Sequence, residues 1–121
     1  MIDSYNLEAL IRNKKTYNPA WKEEYKRSSV RFLRQLAKEL NLMPNDYDIR
    51  FNPGGIAVYG EAILHHKNFY IMIIPDSFSP NQHILYRTCK GLKDYSGGIN
   101  QYTTFYQLDV LLEFCKKQLE K

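Results

Sequence analysis

Cysteine and histidine are scarce in this chain, and long apolar runs are missing; each shortage excludes something. Only Cys89 and Cys115 occur in 121 residues, so no disulfide framework is indicated and two free thiols suit a reducing compartment. The three histidines, His65, His66 and His83, form no His-x-x-x-His pair, and no Cys-x-x-Cys is present. Nothing therefore preorganises a metal site, and no metal or other cofactor is expected. No stretch of ~20 apolar residues is available to cross a bilayer. The start Met1-Ile2-Asp3-Ser4 lacks the basic-then-apolar order of a secretion signal, which gives a cytoplasmic expectation.

Signatures of chemistry are also missing. Gly97-Gly98 fits neither the phosphate-loop spacing Gly-x-x-x-x-Gly-Lys-Ser/Thr nor the dinucleotide spacing Gly-x-Gly-x-x-Gly. Asp48, Glu61 and Asp76 form no visible acid pair. Cys89 remains a conceivable nucleophile, with His83 or His65 as base and Lys90 lowering its pKa, but nothing marks an oxyanion hole. The expectation is a protein that is not an enzyme.

What is present is a globular composition, with 44% hydrophobic and 25% charged residues, in a length that suits a single domain over 1–121. The formal charge is +4 and the isoelectric point about 9.0, a modest excess that favours an anionic partner or serves solubility. Ten tyrosines supply broad contact area at low entropic cost, which suits protein and nucleic-acid interfaces as well as the rim of a sheet.

Periodicity divides the chain into helices and strands. Ser4 or Asp3 caps a first short helix carrying Leu7, Leu10 and Ile11, which ends at Lys14-Lys15. Asn18-Pro19 then starts a long helix to about Asn41, with Trp21, Tyr25, Phe32, Leu33, Leu36 and Leu40 on one side. Past Met43-Pro44 the period becomes two. Tyr47, Ile49 and Phe51 mark a strand, Pro53-Gly54-Gly55 a turn, and Ile56 to Leu64 a second strand in which Gly60 marks a bulge or close approach. His65-His66-Lys67-Asn68 reads as a hairpin turn, and Phe69 to Ile74, apolar on both faces, as the central strand. Pro75 to Gln82 is a surface loop and His83 to Cys89 a fourth strand. Thr104 with Gln107 forms a capping box for a last helix, whose stripe is Phe105, Leu108, Leu111, Leu112, Cys115 and Leu119. The order predicts an α+β domain: two N-terminal helices, a four-stranded antiparallel meander, and a C-terminal helix packed on the sheet.

Two constellations stand out as binding candidates. Arg27, Arg31, Arg34 and Lys38, spaced four, three and four, fall within roughly 60° on the polar side of the long helix at ~100° per residue. Such a row can track phosphates, giving salt-sensitive affinity without base preference. It is equally the composition of a solvated helix face, and Glu23, Glu24 and Glu39 lie near its ends. The other constellation is the strand-to-loop segment with Tyr86, Arg87, Lys90, Lys93, Tyr95, Ser96, Gly97, Gly98 and Asn100. Cations, a hydroxyl and glycine amides can surround an anion there, and Tyr86 or Tyr95 can stack on a base. Alternatively Asp94 hydrogen-bonds its own loop and the diglycine only permits a tight reversal.

Two blocks, Gly54-Gly55-x-Ala57-Val58-x-Gly60-Glu61-x-x-Leu64-His65 and Tyr86-Arg87-Thr88-Cys89-Lys90-Gly91-x-Lys93-Asp94-Tyr95-Ser96-Gly97-Gly98-x-Asn100, span roughly the central half of the chain. Their pattern resembles small hypothetical proteins of bacteriophages, plasmids and integrated elements. The resemblance implies a mobile-element origin and brings no catalytic residues; proteins of that origin often act as accessory binders that block host machinery. The functional expectation is a non-enzymatic accessory protein contacting nucleic acid, or a host nucleoprotein or defence complex as an anti-CRISPR-like inhibitor. The alternative is a small-ligand binder that sequesters a nucleotide. A homodimer would suit a tyrosine-rich sheet with an uncovered face.

Overall fold

In the structure, a computed structural model that describes residues 4–12, 19–53, 60–75, 82–95 and 97–121, the two periods of the sequence become two layers. Helices α1 (Tyr5–Arg12), α2 (Pro19–Glu39) and α3 (Leu108–Leu119) accompany strands β1 (Tyr47–Asn52), β2 (Glu61–His66), β3 (Phe69–Ile73), β4 (Ile84–Thr88) and β5 (Gln101–Thr103). The sheet is an antiparallel meander in the order β1-β2-β3-β4-β5. It therefore has five strands, not four. The additional strand is β5, only three residues long; its place is set by pairing with β4, Ile84 to Thr103 and Tyr86 to Gln101, not by any local pattern. The hairpin turn also differs from expectation. Both His65 and His66 belong to β2, leaving Lys67-Asn68 to reverse the chain.

The register separates the two faces of the sheet by simple alternation. Ile49, Leu64, Ile71 and Tyr86 form one cross-strand row, and Phe51, Ala62, Ile73 and Ile84 another. Both rows lie under the helices, in one core with Leu7, Ile11, Tyr25, Phe32, Leu33, Leu36, Leu111 and Cys115. The opposite face carries the rows Asp48-His65-Tyr70-Arg87 and Arg50-Ile63-Met72-Leu85-Tyr102. There Ile63, Tyr70 and Leu85 form a second, smaller apolar cluster with Met72 and Ile74. β3 is thus central in the sheet and buried on both sides, as its unbroken apolar run requires.

The helical layer is tied by specific polar contacts. Trp21 Nε1 donates to the Leu10 carbonyl of α1 at 3.1 Å, and the Trp21 ring stacks on Tyr25. Tyr25 reaches the sheet, donating to Gly60 O and Ile73 O at 3.3 and 3.4 Å. Gly60 is a close approach: at φ +91° a Cβ would lie 2.6 Å from the Phe51 ring. At the start of α3, Thr104 Oγ1 accepts from the Tyr106 amide, capping a 3₁₀ turn over Phe105–Gln107 before the α-helix begins at Leu108. This contact replaces the expected bond to the Gln107 amide.

α2 ends in a left-handed residue. Asn41 sits at φ +55°, its amide bonds Lys38 O at 3.1 Å, and the Leu42 amide bonds Ala37 O at 3.0 Å. This pair of bonds is the Schellman termination, which requires positive φ at the residue after the cap. Asn41→Val places a β-branched side chain in that region and should cost about 1–2 kcal/mol, whereas Asn41→Gly should be neutral or slightly stabilising. Urea unfolding of the two variants measures both, and equal midpoints would show that the termination is not constrained by this residue.

The expectations placed on Asp3, Lys14-Lys15, Asn18, Gly54-Gly55, Ile56 to Tyr59, residues 76–81 and Ser96 lie outside the described residues.

Candidate functional site

Because α2 lays its apolar stripe on one face of the sheet, its polar stripe points away from the whole molecule. Arg27, Arg31, Arg34 and Lys38 are all exposed there. Arg27 pairs with Glu24 one turn earlier. Among the described residues Arg31, Arg34 and Lys38 have no ion-pair or hydrogen-bond partner. Exposed guanidinium and ammonium groups in one row, held by a 21-residue helix, form a preorganised cationic track whose groups lose little internal pairing when an anion arrives.

The strand-to-loop segment is built differently, and its chemistry is turned inward. Arg87 points to the face of the sheet away from the helices and is only 5% exposed. Its guanidinium donates to Gly97 O at 2.5 Å and Tyr95 O at 2.6 Å, and lies 4.1 Å from the centroid of the Tyr70 ring. Asp94 closes the same loop from within: its Oδ1 accepts from the Gly97 amide at 2.8 Å and its Oδ2 from the Lys90 amide at 2.9 Å. Gly98 is sterically required, and a side chain at Gly97 would displace the Asp94 carboxylate. A Cβ on Gly97 would lie 2.2 Å from Asp94 Oδ2, and Gly98, at φ +80°, would place one 2.5 Å from Thr88 O. Arg87 and the Gly97 amide thus hold the loop against the sheet, so an anion could reach them only by displacing their present partners. Tyr86 lies on the helix-covered side, its ring 4.8 Å from that of Phe114, and is likewise unavailable for stacking.

Exposed groups remain on this segment. Lys90, Lys93, Gly98 and Asn100 face solvent. Tyr95 is 61% exposed, with the Arg50 guanidinium 5.3 Å from its ring centroid and His65 edge-on at 5.4 Å. Arg50 and Tyr70, which the sequence did not single out as site residues, and His65, considered there only as a base or metal ligand, join Arg87 and Tyr95 in one cation–aromatic cluster. The available signal was the period-two alternation that brings β1, β2, β3 and β4 residues onto a common face. His65 is fully buried: Nε2 lies 3.0 Å from Gly91 O, while Nδ1 has no hydrogen-bond partner among the described residues. Burial lowers the His65 pKa, the hydrogen bond to Gly91 O opposes this, and the neighbouring Arg50 and Arg87 charges lower it further.

Of the bases considered for Cys89, His83 is not brought to it. His83 and Cys89 flank opposite ends of β4, ~20 Å apart at ~3.3 Å per residue. His83 Nδ1 lies 2.9 Å from Ile74 O, and the Cys89 thiol donates to His66 O at 3.1 Å. Burial pushes the Cys89 pKa up, opposite to what a thiolate nucleophile needs. Among the described residues no group of three His, Cys, Asp or Glu gathers to hold a metal ion, and no helix is long and apolar enough to cross a membrane.

The two candidate surfaces lie on opposite sides of the molecule, separated by the thickness of α2 and the sheet. One flat partner cannot touch both at once. Comparison of the chain with protein-family models, curated proteins and solved structures returns no match.

Proposed function

We propose that this chain is a non-enzymatic accessory protein of a phage or other mobile element that binds an anionic macromolecular surface through the outer face of α2. The partner is nucleic acid, or a host nucleoprotein or defence complex whose nucleic-acid-binding groove the protein reaches. The observation that supports this reading is the row Arg31, Arg34 and Lys38, exposed and without partners among the described residues, extended by Arg27. The net charge of +4 acts in the same direction at long range. The strand-to-loop segment has a supporting part in this reading, because its principal cation and one of its glycine amides are already bonded within the loop.

The test is fluorescence anisotropy with a labelled DNA duplex, a single strand and an RNA hairpin across a salt series. Replacing Arg31, Arg34 and Lys38 together by alanine should weaken binding and reduce the slope of log K against log salt by about one for each cation removed. These side chains are exposed, so the variant should keep its fold. An unchanged affinity and salt slope would rule out the α2 row as the binding surface.

A further inference from the structure

The two edges of the sheet are guarded unequally. β1, at one edge, carries Asp48 and Arg50, joined by an ion pair at 3.3 Å. Charges of this kind discourage another strand from adding to an edge. β5, at the other edge, carries none. It lies in residues 95–108, which contain no Asp, Glu, Lys, Arg or His and form the longest such stretch in the chain. Lysine, proline and bulge devices are all missing from Gln101–Thr103.

Apolar side chains are exposed around this edge. Ile99 is 83% exposed, Tyr102 42% and Val110 41%. Tyr102 ends the cross-strand row Arg50-Ile63-Met72-Leu85-Tyr102, so a further strand would continue an apolar row that now stops at solvent. On the other face an open cleft of about 480 Å³ runs between the sheet edge and α3, lined by Tyr86, Gln101, Val110 and Phe114 with Asp109, Glu113 and Lys117.

We infer that β5 is a docking edge for a second copy of this chain, forming a two-fold antiparallel β5–β5 contact and a continuous ten-stranded sheet. The choice of occupant rests on charge. Two molecules of net charge +4 repel each other, and they can approach closely only where that charge is absent, which is this stretch. An isologous contact uses the same patch twice, so a neutral strand with a central tyrosine is its own complement, Tyr102 meeting Tyr102 of the second copy. The same symmetry sets the two α3 helices antiparallel. Asp109 and Lys117 stand at opposite ends of the α3 stripe that lines the cleft, so each faces the opposite charge, while Glu113, midway between them, meets its own counterpart and offsets part of that gain. This inference is independent of the α2 reading, since the row of cations lies on the far side of the helical layer.

Sedimentation equilibrium across a wide concentration range tests it. The wild-type chain should approach twice its 14.3 kDa mass. Tyr102→Lys sets like charges opposite one another and should raise the dissociation constant at least about tenfold. Ile99→Lys, in the loop before β5, should act in the same direction without touching strand pairing, and serves if Tyr102→Lys fails to fold. The Arg31, Arg34 and Lys38 alanine variant should dimerise as the wild type does. In a Tyr102→Cys variant, mild oxidation of the native protein should give a disulfide-linked dimer. A wild-type monomer at the highest concentration, or dimers undiminished by both lysine variants, would overturn the inference, as would a dimer lost in the α2 variant instead.

Discussion

Arg87→Ala should destabilise the protein by about 3 kcal/mol and release the loop that follows β4. The estimate combines two charge-assisted hydrogen bonds, each worth about 1.5 kcal/mol or more, with a partly desolvated cation–π contact of about 1 kcal/mol; water reaching the freed carbonyls returns part of the sum. The geometry concentrates the effect. One guanidinium bridges Tyr95 O and Gly97 O while lying on the Tyr70 ring, so a single truncation removes all three contacts. Arg87→Lys keeps the charge but cannot span two carbonyls, and should recover less than half of the loss. Urea unfolding gives the magnitude and amide hydrogen exchange over residues 90–100 gives the location. Loss of stability with faster exchange in that loop is the expected pair. Unchanged stability and exchange would mean that the loop holds itself, leaving the Arg87 guanidinium available for a ligand and reviving the nucleotide pocket.

The contrast between Arg87 and the α2 row explains what could be read from the sequence. The row depends only on helical period and on Pro19 starting the helix, both local properties, and the structure places all four cations on the exposed face. Most of α2's core stripe was legible for the same reason, as was the central position of β3 in its two-sided apolar run. Arg87 was legible as a strand cation but not as a loop anchor, because its acceptors are backbone carbonyls, which every residue has and no motif marks. The diglycine was legible as a permissive turn. What it packs on, Asp94 and Thr88, depends on how the loop returns to β4. β5 was missed because three residues carry too little alternation to register; the expected helical start at Thr104 lies just past it, where Thr104 caps the 3₁₀ turn. His65 looked like turn material beside Lys67-Asn68. Only the β2–β3 register, with His65 opposite Tyr70, puts it inside the sheet.

The other large effect belongs to Cys115. Its thiol is fully buried on α3 in the main core, and burial pushes its pKa from 9.0 to about 12. In the unfolded chain the thiol ionises near its ordinary value, so the folded protein retains the proton over a range in which the unfolded one releases it. The contribution to stability is therefore fully present below pH 9 and is lost as pH rises toward 12, a total of about 4 kcal/mol at ~1.4 kcal/mol per pH unit. Cys89 adds to this in the same direction, since burial also raises its pKa. Stability measured by urea unfolding should thus fall steeply between pH 9 and 11. Cys115→Ala should lose about 1–2 kcal/mol at neutral pH through the small cavity it leaves, yet show a shallower alkaline decline. If the variant and the wild type decline in parallel, the thiol is not the group responsible. A catalytic thiol behaves in the opposite way: its pKa lies below the ordinary value, and its thiolate forms more readily in the folded protein than in the unfolded one. The cysteine-enzyme reading concerns Cys89, and rapid modification of that thiol by a thiol reagent in the native Cys115→Ala protein near neutral pH is the result that would favour it.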